Sequence, residues 1–221
     1  MKCSLIIVAA GSSTRFGGDK QTALLCGMPL FLHSVKNLSS LASECVVVVP
    51  PGRTEEFRAL AARSGFDGLL CVEGGPNRTD SVIRGLSALK ASKGLVAVHD
   101  AARPLATSAL LERLMAAAEQ TGGAIPGHPV VDTLMRADDA GIAVERVPRD
   151  GVWAVSTPQV FDLERLREAY RSQNGRLFTD DSQAFMAAGG RVSIVPEDAP
   201  NLKVTYPDDL KAAEACLSAA R

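Results

Sequence analysis

The chain has 221 residues, 46% hydrophobic and 22% charged, with a formal net charge of −1, a balance that suits one α/β domain and excludes a disordered or fibrous chain. Near-neutral charge removes the general electrostatic drive toward nucleic acid or a lipid surface, so any anionic ligand must be met by a local site. The apolar runs fall far short of the roughly 20 residues that cross a bilayer, and the start Met1-Lys2-Cys3-Ser4 carries no secretory pattern, which places the chain in the cytoplasm as an expectation.

In chain order, residues 4–9 read as a first strand, and Pro29 opens a helix that buries Phe31, Leu32, Val35 and Leu38. Residues 45–49, 69–72 and 95–99 are further short apolar strands, separated by helix-spaced apolar residues over 55–63 and 81–89. A helix carrying Leu110, Leu111 and Leu114 stops at Gly122 and Gly123. This alternation implies a Rossmann-like α/β fold, a mostly parallel sheet flanked by helices. Residues 130–152 break the pattern: 133–136 and 142–147 read as a β-hairpin around the turn residues Asp138, Asp139 and Gly141. A lone hairpin is marginal in water, so this arm is expected to pack on a second subunit. Helices return at 163–170 and 181–188, a strand at 192–195, and a closing helix at 207–217, giving one domain over 1–221 with a protruding arm. The scattered Cys3, Cys26, Cys45, Cys71 and Cys216 suggest buried free thiols rather than disulfides or a zinc site.

The first strand runs into Ala9-Ala10-Gly11-Ser12-Ser13-Thr14-Arg15-Phe16-Gly17-Gly18-Asp19-Lys20. Ligands of open α/β sheets bind at such carboxyl ends, where glycines let backbone N–H groups approach phosphate and where Arg15 and Lys20 supply charge. The loop is neither G-x-G-x-x-G nor G-x-x-x-x-G-K-[ST], which argues against dinucleotide and P-loop readings; a surface loop with two solvated cations explains it equally. The strand at 95–99 leads into Asp100, whose use beside a polyphosphate would be to hold Mg²⁺, the alternative being a salt bridge or turn cap with Arg103. His99 reads as structural, because His33 and His128 lie in unrelated segments. Three further polar stretches are 74–81, with Thr79 or Asp80 as helix cap, 149–159 around Trp153, and 201–205 with Lys203.

Taken together, the segments AAGSSTRFGGDKQ, GGPNRTDSV, VHDAARP, VVDT, RDGVW followed by TPQVF, TDD and NLKVTYPDDL, in that order, resemble the 2-C-methyl-D-erythritol 4-phosphate cytidylyltransferase family. The resemblance implies transfer of CMP from CTP to 2-C-methyl-D-erythritol 4-phosphate with release of pyrophosphate, a step of non-mevalonate isoprenoid biosynthesis. It assigns Ala10, Gly11, Gly75 and Ser81 to the cytidine, Arg15 and Lys20 to the triphosphate, Lys203 to the α-phosphate and Asp100 to Mg²⁺. Thr133, Arg149 and Thr157 would hold the acceptor, with Arg103 and Thr179 nearby and Asp80 a further candidate, and the arm would be exchanged in a homodimer. Three departures stand out: Ser13 replaces a usual glycine, Asp19 a usual proline, and Met135 a usual lysine. Asp19 brings negative charge toward the triphosphate, and Met135 opens the alternative of a ribitol 5-phosphate cytidylyltransferase; a nucleotide-binding protein without turnover is the more distant alternative.

Overall fold

The computed structural model describes residues 2–11, 13–172 and 175–219. Its elements are β1 (Cys3–Val8), the short pair β2 (Leu24–Leu25) and β3 (Met28–Pro29), α1 (Leu30–Leu38), β4 (Ala42–Val49), α2 (Thr54–Arg63), β5 (Leu70–Glu73), α3 (Arg78–Ala88), β6 (Leu95–Asp100) and α4 (Ser108–Thr121). There follow β7 (Gly123–Pro129), β8 (Leu134–Ala137), β9 (Ala143–Val147), β10 (Trp153–Val155), β11 (Gln159–Asp162), α5 (Leu163–Arg171), α6 (Asp181–Ala187), β12 (Ser193–Pro196) and α7 (Pro207–Ala219).

The main sheet has the order β10-β7-β11-β6-β1-β4-β5, with β12 paired to β7. The run β6-β1-β4-β5 is parallel, and so is β12 on β7. β11 and β10 enter antiparallel. Alternation sorts the strand residues between two cores. Leu5, Ile7, Val47 and Val49 face Phe31, Leu32, Phe57 and Leu111, while Ile6, Val8, Val46 and Val48 face Val82, Leu86, Leu166 and Phe185. Asn77, Thr107, Asp162 and Asp180 cap α3, α4, α5 and α6 with side-chain acceptors. The cap of α3 is thus Asn77, not Thr79 or Asp80; the Thr79 hydroxyl instead bonds the backbone of Phe178. Gly122 ends α4 in the left-handed conformation expected of a helix stop.

Two expectations need correction. Strands β7, β10 and β11 lie outside the pattern read from the sequence, because β7 carries Gly123, Pro126, Gly127 and Pro129, a composition that reads as loop. The cysteines are free, but Cys26 is exposed and Cys45 and Cys216 are only partly buried. The expected hairpin does form: β8 and β9 pair in a sheet of their own, with Gly141 at positive φ in the turn. Among the described residues, no helix is long and apolar enough to cross a membrane.

Close packing of α3 on the sheet depends on Gly85, where an added Cβ would lie 2.7 Å from Ile6 Cγ2 and 3.0 Å from Val48 Cγ2. Those methyls belong to stiff, fully buried side chains. Gly85→Ala is therefore expected to lose about 1–2 kcal/mol net in urea unfolding, overpacking outweighing the helix-propensity gain of about 1 kcal/mol. An unchanged or raised midpoint would show that α3 can shift.

Candidate active site

The ends of β1, β4, β5 and β6 are brought level on one edge of the sheet. Ala9 N donates to Val48 O at 2.7 Å, Ala101 N to Val8 O at 3.0 Å and Gly74 N to Val49 O at 2.7 Å, so the chain leaves β1, β5 and β6 side by side. A cavity of about 390 Å³ opens there, walled by Ala10, Gly11, Ser13, Thr14, Arg15, Lys20 and Gln21 from the first loop. Gly75, Pro76, Asn77, Arg78 and Ser81 at the N-terminus of α3 form another wall, and Asp100, Ala102, Lys203 and Thr205 complete it. Glycine is required at the α3 wall: a Cβ on Gly74 would strike Ala10 Cβ, and one on Gly75 would strike Asp80. Ser81 Oγ accepts from Gly75 N at 3.1 Å and donates to Asn77 O at 2.8 Å, fixing that turn.

The charge in this cavity is lopsided. Arg15, Lys20, Arg78 and Lys203 face a single carboxylate among the described wall residues, Asp100. Lys203 Nζ donates to Asp100 Oδ2 at 2.7 Å, and Arg78 Nε approaches Asp100 Oδ1 at 3.3 Å. Burial opposes ionisation of Asp100, but Arg78, Lys203 and Arg103 outweigh it and hold the carboxyl well below the usual carboxylate range. Lys20 is lowered by burial and by its neighbours Lys203 and Arg15, against the pull of Asp100 and Asp209. The excess positive charge, next to a helix N-terminus and close-approach glycines, is what a polyphosphate requires.

The structure gathers eight of the expected residues here: Ala10, Gly11, Arg15, Lys20, Gly75, Ser81, Asp100 and Lys203. Others lie elsewhere. Asp80 is held within the α3 cap, accepting from Asn77 Nδ2 at 2.6 Å. Arg103 does not pair with Asp100; its Nη1 donates to Asn201 O at 2.8 Å and it lines a separate open cavity beside His128 and Glu197. Thr157 is buried, its hydroxyl accepting from Asp100 N at 3.0 Å and lying 3.1 Å from His99 Nδ1, so it braces the strand end rather than facing the cavity. Thr133 and Arg149 are exposed at the base of the arm, where Arg149 donates to Val131 O. Thr179 is exposed just before α6. Ser12 falls outside the described residues. Asp19 does not face the cavity: Arg53 pairs with it and Thr22 Oγ1 donates to it at 2.7 Å, so its charge is neutralised locally.

Sequence reasoning misses Arg78. Its signal is a broken local rule, a cation in the first turn of a helix whose dipole disfavours it. The cost is met by Asp181, fully buried in the first turn of α6, which accepts from Arg78 Nη2 at 2.6 Å and from Tyr170 Oη at 2.6 Å. Burial and the neighbouring Asp181 raise the Tyr170 phenol above its usual range, so it remains the donor.

The model of the 2-C-methyl-D-erythritol 4-phosphate cytidylyltransferase family matches residues 3–219. The chain belongs to that family. A 2-C-methyl-D-erythritol 4-phosphate cytidylyltransferase of Ralstonia nicotianae is 45% identical over 97% of this chain and 91% of its own length. That of Nitrosomonas eutropha is 39% identical over 98% and 97%. The crystal structure of the cytidylyltransferase from Thermus thermophilus superposes with a TM-score of 0.82 at 35% identity, covering 99% of this chain and all of that one. The family resemblance read from the sequence and the mostly parallel α/β fold are both upheld.

His99 is structural, as its isolation suggests. Fully buried, it sits between Ser34, Arg103 O and Thr157, and burial pushes its pKa from 6.5 down to about 4. A base lowered on folding leaves stability intact above pH 6.5 and removes it progressively as pH falls toward 4, by about 3 kcal/mol for a shift of this size. His99→Gln should flatten the fall in denaturation midpoint between pH 6.5 and 4, whatever its effect at higher pH. An unchanged slope would assign the acid sensitivity to other groups.

Proposed function

We propose that this chain transfers CMP from CTP to 2-C-methyl-D-erythritol 4-phosphate, releasing pyrophosphate, as its named relatives do. The observation that carries the reading is the single cavity in which Arg15, Lys20, Arg78 and Lys203 surround Asp100 beside close-approach glycines. An oxygen of the acceptor phosphate attacks the α-phosphorus of CTP, and the bond to the β-phosphate oxygen breaks with its electron pair leaving on pyrophosphate. A phosphate monoester, with its second pKa at about 6, is already largely dianionic at about pH 7. No general base is then needed. The work left to the protein is to align two repelling anions and to stabilise charge on the transferring group.

In this reading Ala10, Gly11, Gly75 and Ser81 form the cytidine wall, Arg15 and Lys20 hold the triphosphate, and Lys203 meets the α-phosphate after leaving Asp100. Asp100 fits a Mg²⁺ site, since that ion commonly takes one or two protein carboxylates plus phosphate oxygens, and the partner on its Oδ2, Lys203, is exposed and free to swing. Bound Mg²⁺ would neutralise phosphate charge and orient the reacting groups.

The acceptor is assigned to Thr133, Arg149, Arg103 and Thr179, which lie outside the cavity walls, with Thr157 acting behind them as the brace of Asp100, and the arm would bring the first two from a second subunit. An independent β8–β9 sheet with Val131, Met135, Ile142 and Val144 exposed supports a homodimer in which apolar arm residues are covered. Met135, where the family usually has lysine, pairs in register with Arg146, so a cation is available from the adjoining strand.

Purified protein with CTP, Mg²⁺ and methylerythritol phosphate is expected to release pyrophosphate, with ribitol 5-phosphate and with ATP, GTP or UTP giving little. Release with ribitol phosphate alone would move the acceptor; no release with any acceptor while CTP still binds would leave a binding protein. Lys20→Ala and Lys203→Ala should each cut turnover by about 10² to 10³, as loss of one preorganised charge donor does. Mixed dimers of Arg149→Ala and Lys20→Ala subunits should regain partial activity, and complete absence of rescue would place the site within one chain.

A further inference from the structure

We propose that Asp181 is a positioning residue for the transfer reaction: through Arg78 it fixes Asp100 while Lys203 changes partner. The inference rests on the function proposed above. Asp100 has two cationic partners of opposite character. Lys203 reaches Oδ2 on a flexible stem whose side chain is 42% exposed, whereas Arg78 reaches Oδ1 from within the wall. When a substrate phosphate draws Lys203 away, Arg78 keeps the carboxylate aimed.

Arg78 can do this only if it is itself fixed. Its guanidinium spans two carboxylates, Nη2 bonding Asp181 Oδ2 at 2.6 Å and Nε meeting Asp100 Oδ1 at 3.3 Å. Asp181 has no freedom to follow the ligand: its side chain is 0% exposed, its other oxygen accepts from Tyr170 Oη at 2.6 Å, and its N–H is donated to Gln159 Oε1 at 3.2 Å. The rigid fork of arginine suits such a two-sided clamp where a lysine would not.

Charge counting gives Asp181 a second effect. Paired with Asp181, Arg78 carries part of its charge away from the cavity, so Asp100 keeps more of its negative charge for a cation. With Asp181 neutral, Arg78 would compensate Asp100 and compete with any metal bound there. A buried ion pair is often no more stabilising than apolar packing of the same volume. Its placement on the far side of Arg78 from the reacting groups is accounted for by what it does to Asp100.

The test compares the full-length wild type with Asp181→Asn, Asp181→Glu and Tyr170→Phe. Steady-state kinetics are measured over a Mg²⁺ titration, Mn²⁺ binding with CTP present is followed by electron paramagnetic resonance, and thermal midpoints report folding. Asp181→Asn is expected to lower kcat about 10-fold and to weaken Mn²⁺ binding about 10-fold, as loss of an outer partner of a metal ligand does, with the KM for CTP changed much less. Asp181→Glu should recover part of both losses, and Tyr170→Phe should shift both in the same direction by a smaller factor. Wild-type kcat and Mn²⁺ affinity in folded Asp181→Asn would overturn the proposal, as would a lowered thermal midpoint with both parameters unchanged. If Asp181→Asn does not fold, Tyr170→Phe decides alone: a shift in both readouts supports the clamp and none refutes it. If the wild type releases no pyrophosphate, the functional reading falls, and the Mn²⁺ titration still decides the clamp.

Discussion

A carboxylate kept ionised where burial alone would protonate it is the constraint around which this molecule is arranged. Asp100 stands at the end of β6, and the cations that hold its charge are Arg78 on α3, Arg103 in the turn just after β6 and Lys203 after β12. Arg78 requires α3 to begin beside β6, which requires β5 to end level with β1 and Gly85 to let the helix settle on Ile6 and Val48. Lys203 requires the segment after β12 to return to the same sheet edge. That return is pinned by Val204 N donating to Ala102 O at 2.8 Å and by Asn201 Nδ2 donating to Thr157 O at 2.9 Å. Thr157 in turn bonds Asp100 N. The sheet order and the site electrostatics are therefore one arrangement, because each strand crossing delivers a charge or a brace to the same carboxylate.

The same arrangement explains why the described cavity walls carry cations rather than a histidine base. His99, next to Asp100 in the chain, is buried behind the strand and neutral above about pH 4, its ring bound to Arg103 O and Thr157. A reaction between a dianionic phosphate and a nucleoside triphosphate does not need a base; it needs fixed positive charge that costs nothing to reorganise at the moment of transfer. Arg78, braced by a buried carboxylate, is such a charge. Lys203, on an exposed side chain, has a freedom that Arg78 lacks.

Much of this is legible in the sequence, and the limits have physical causes. The parallel core strands and their helices announce themselves because strands buried on both faces read as continuous apolar runs. Ala10, Arg15, Gly75 and Asp100, at or just past the ends of β1, β5 and β6, reach the cavity because carboxyl ends of parallel strands are fixed in space by the strands themselves. Arg103, three positions beyond Asp100, turns away, since the tight turn after β6 sends its side chain to Asn201 instead. The strands β7, β10 and β11 are hidden because pairing there is enforced by neighbours rather than by composition: β7 holds two prolines and two glycines and is clamped by three partner strands. Arg78 and Asp181 are hidden for the complementary reason. Their partners, Asp100 and Tyr170, are 22 and 11 positions away, and no periodicity relates them. Thr157 is legible as a conspicuous hydroxyl but not as a brace, since its direction is set by a strand pairing that the sequence does not disclose.

The departures at Asp19 and Met135 show why residue type at one position is a poor measure of a site's charge. Asp19 alone would repel a triphosphate next to Lys20, yet Arg53 from the start of α2 covers it, and Glu56 joins the same guanidinium. At this position, where proline is usual, the Asp19 side chain is held by that ion pair and by the Thr22 hydroxyl. Met135 removes a cation from β8, and Arg146 stands directly across on β9. Cross-strand neighbours lie about 5 Å apart at Cβ, well within the reach of an arginine, so the arm's surface can present the same charge from the other strand. More than one sequence position can therefore bring a charge to the same place in the fold.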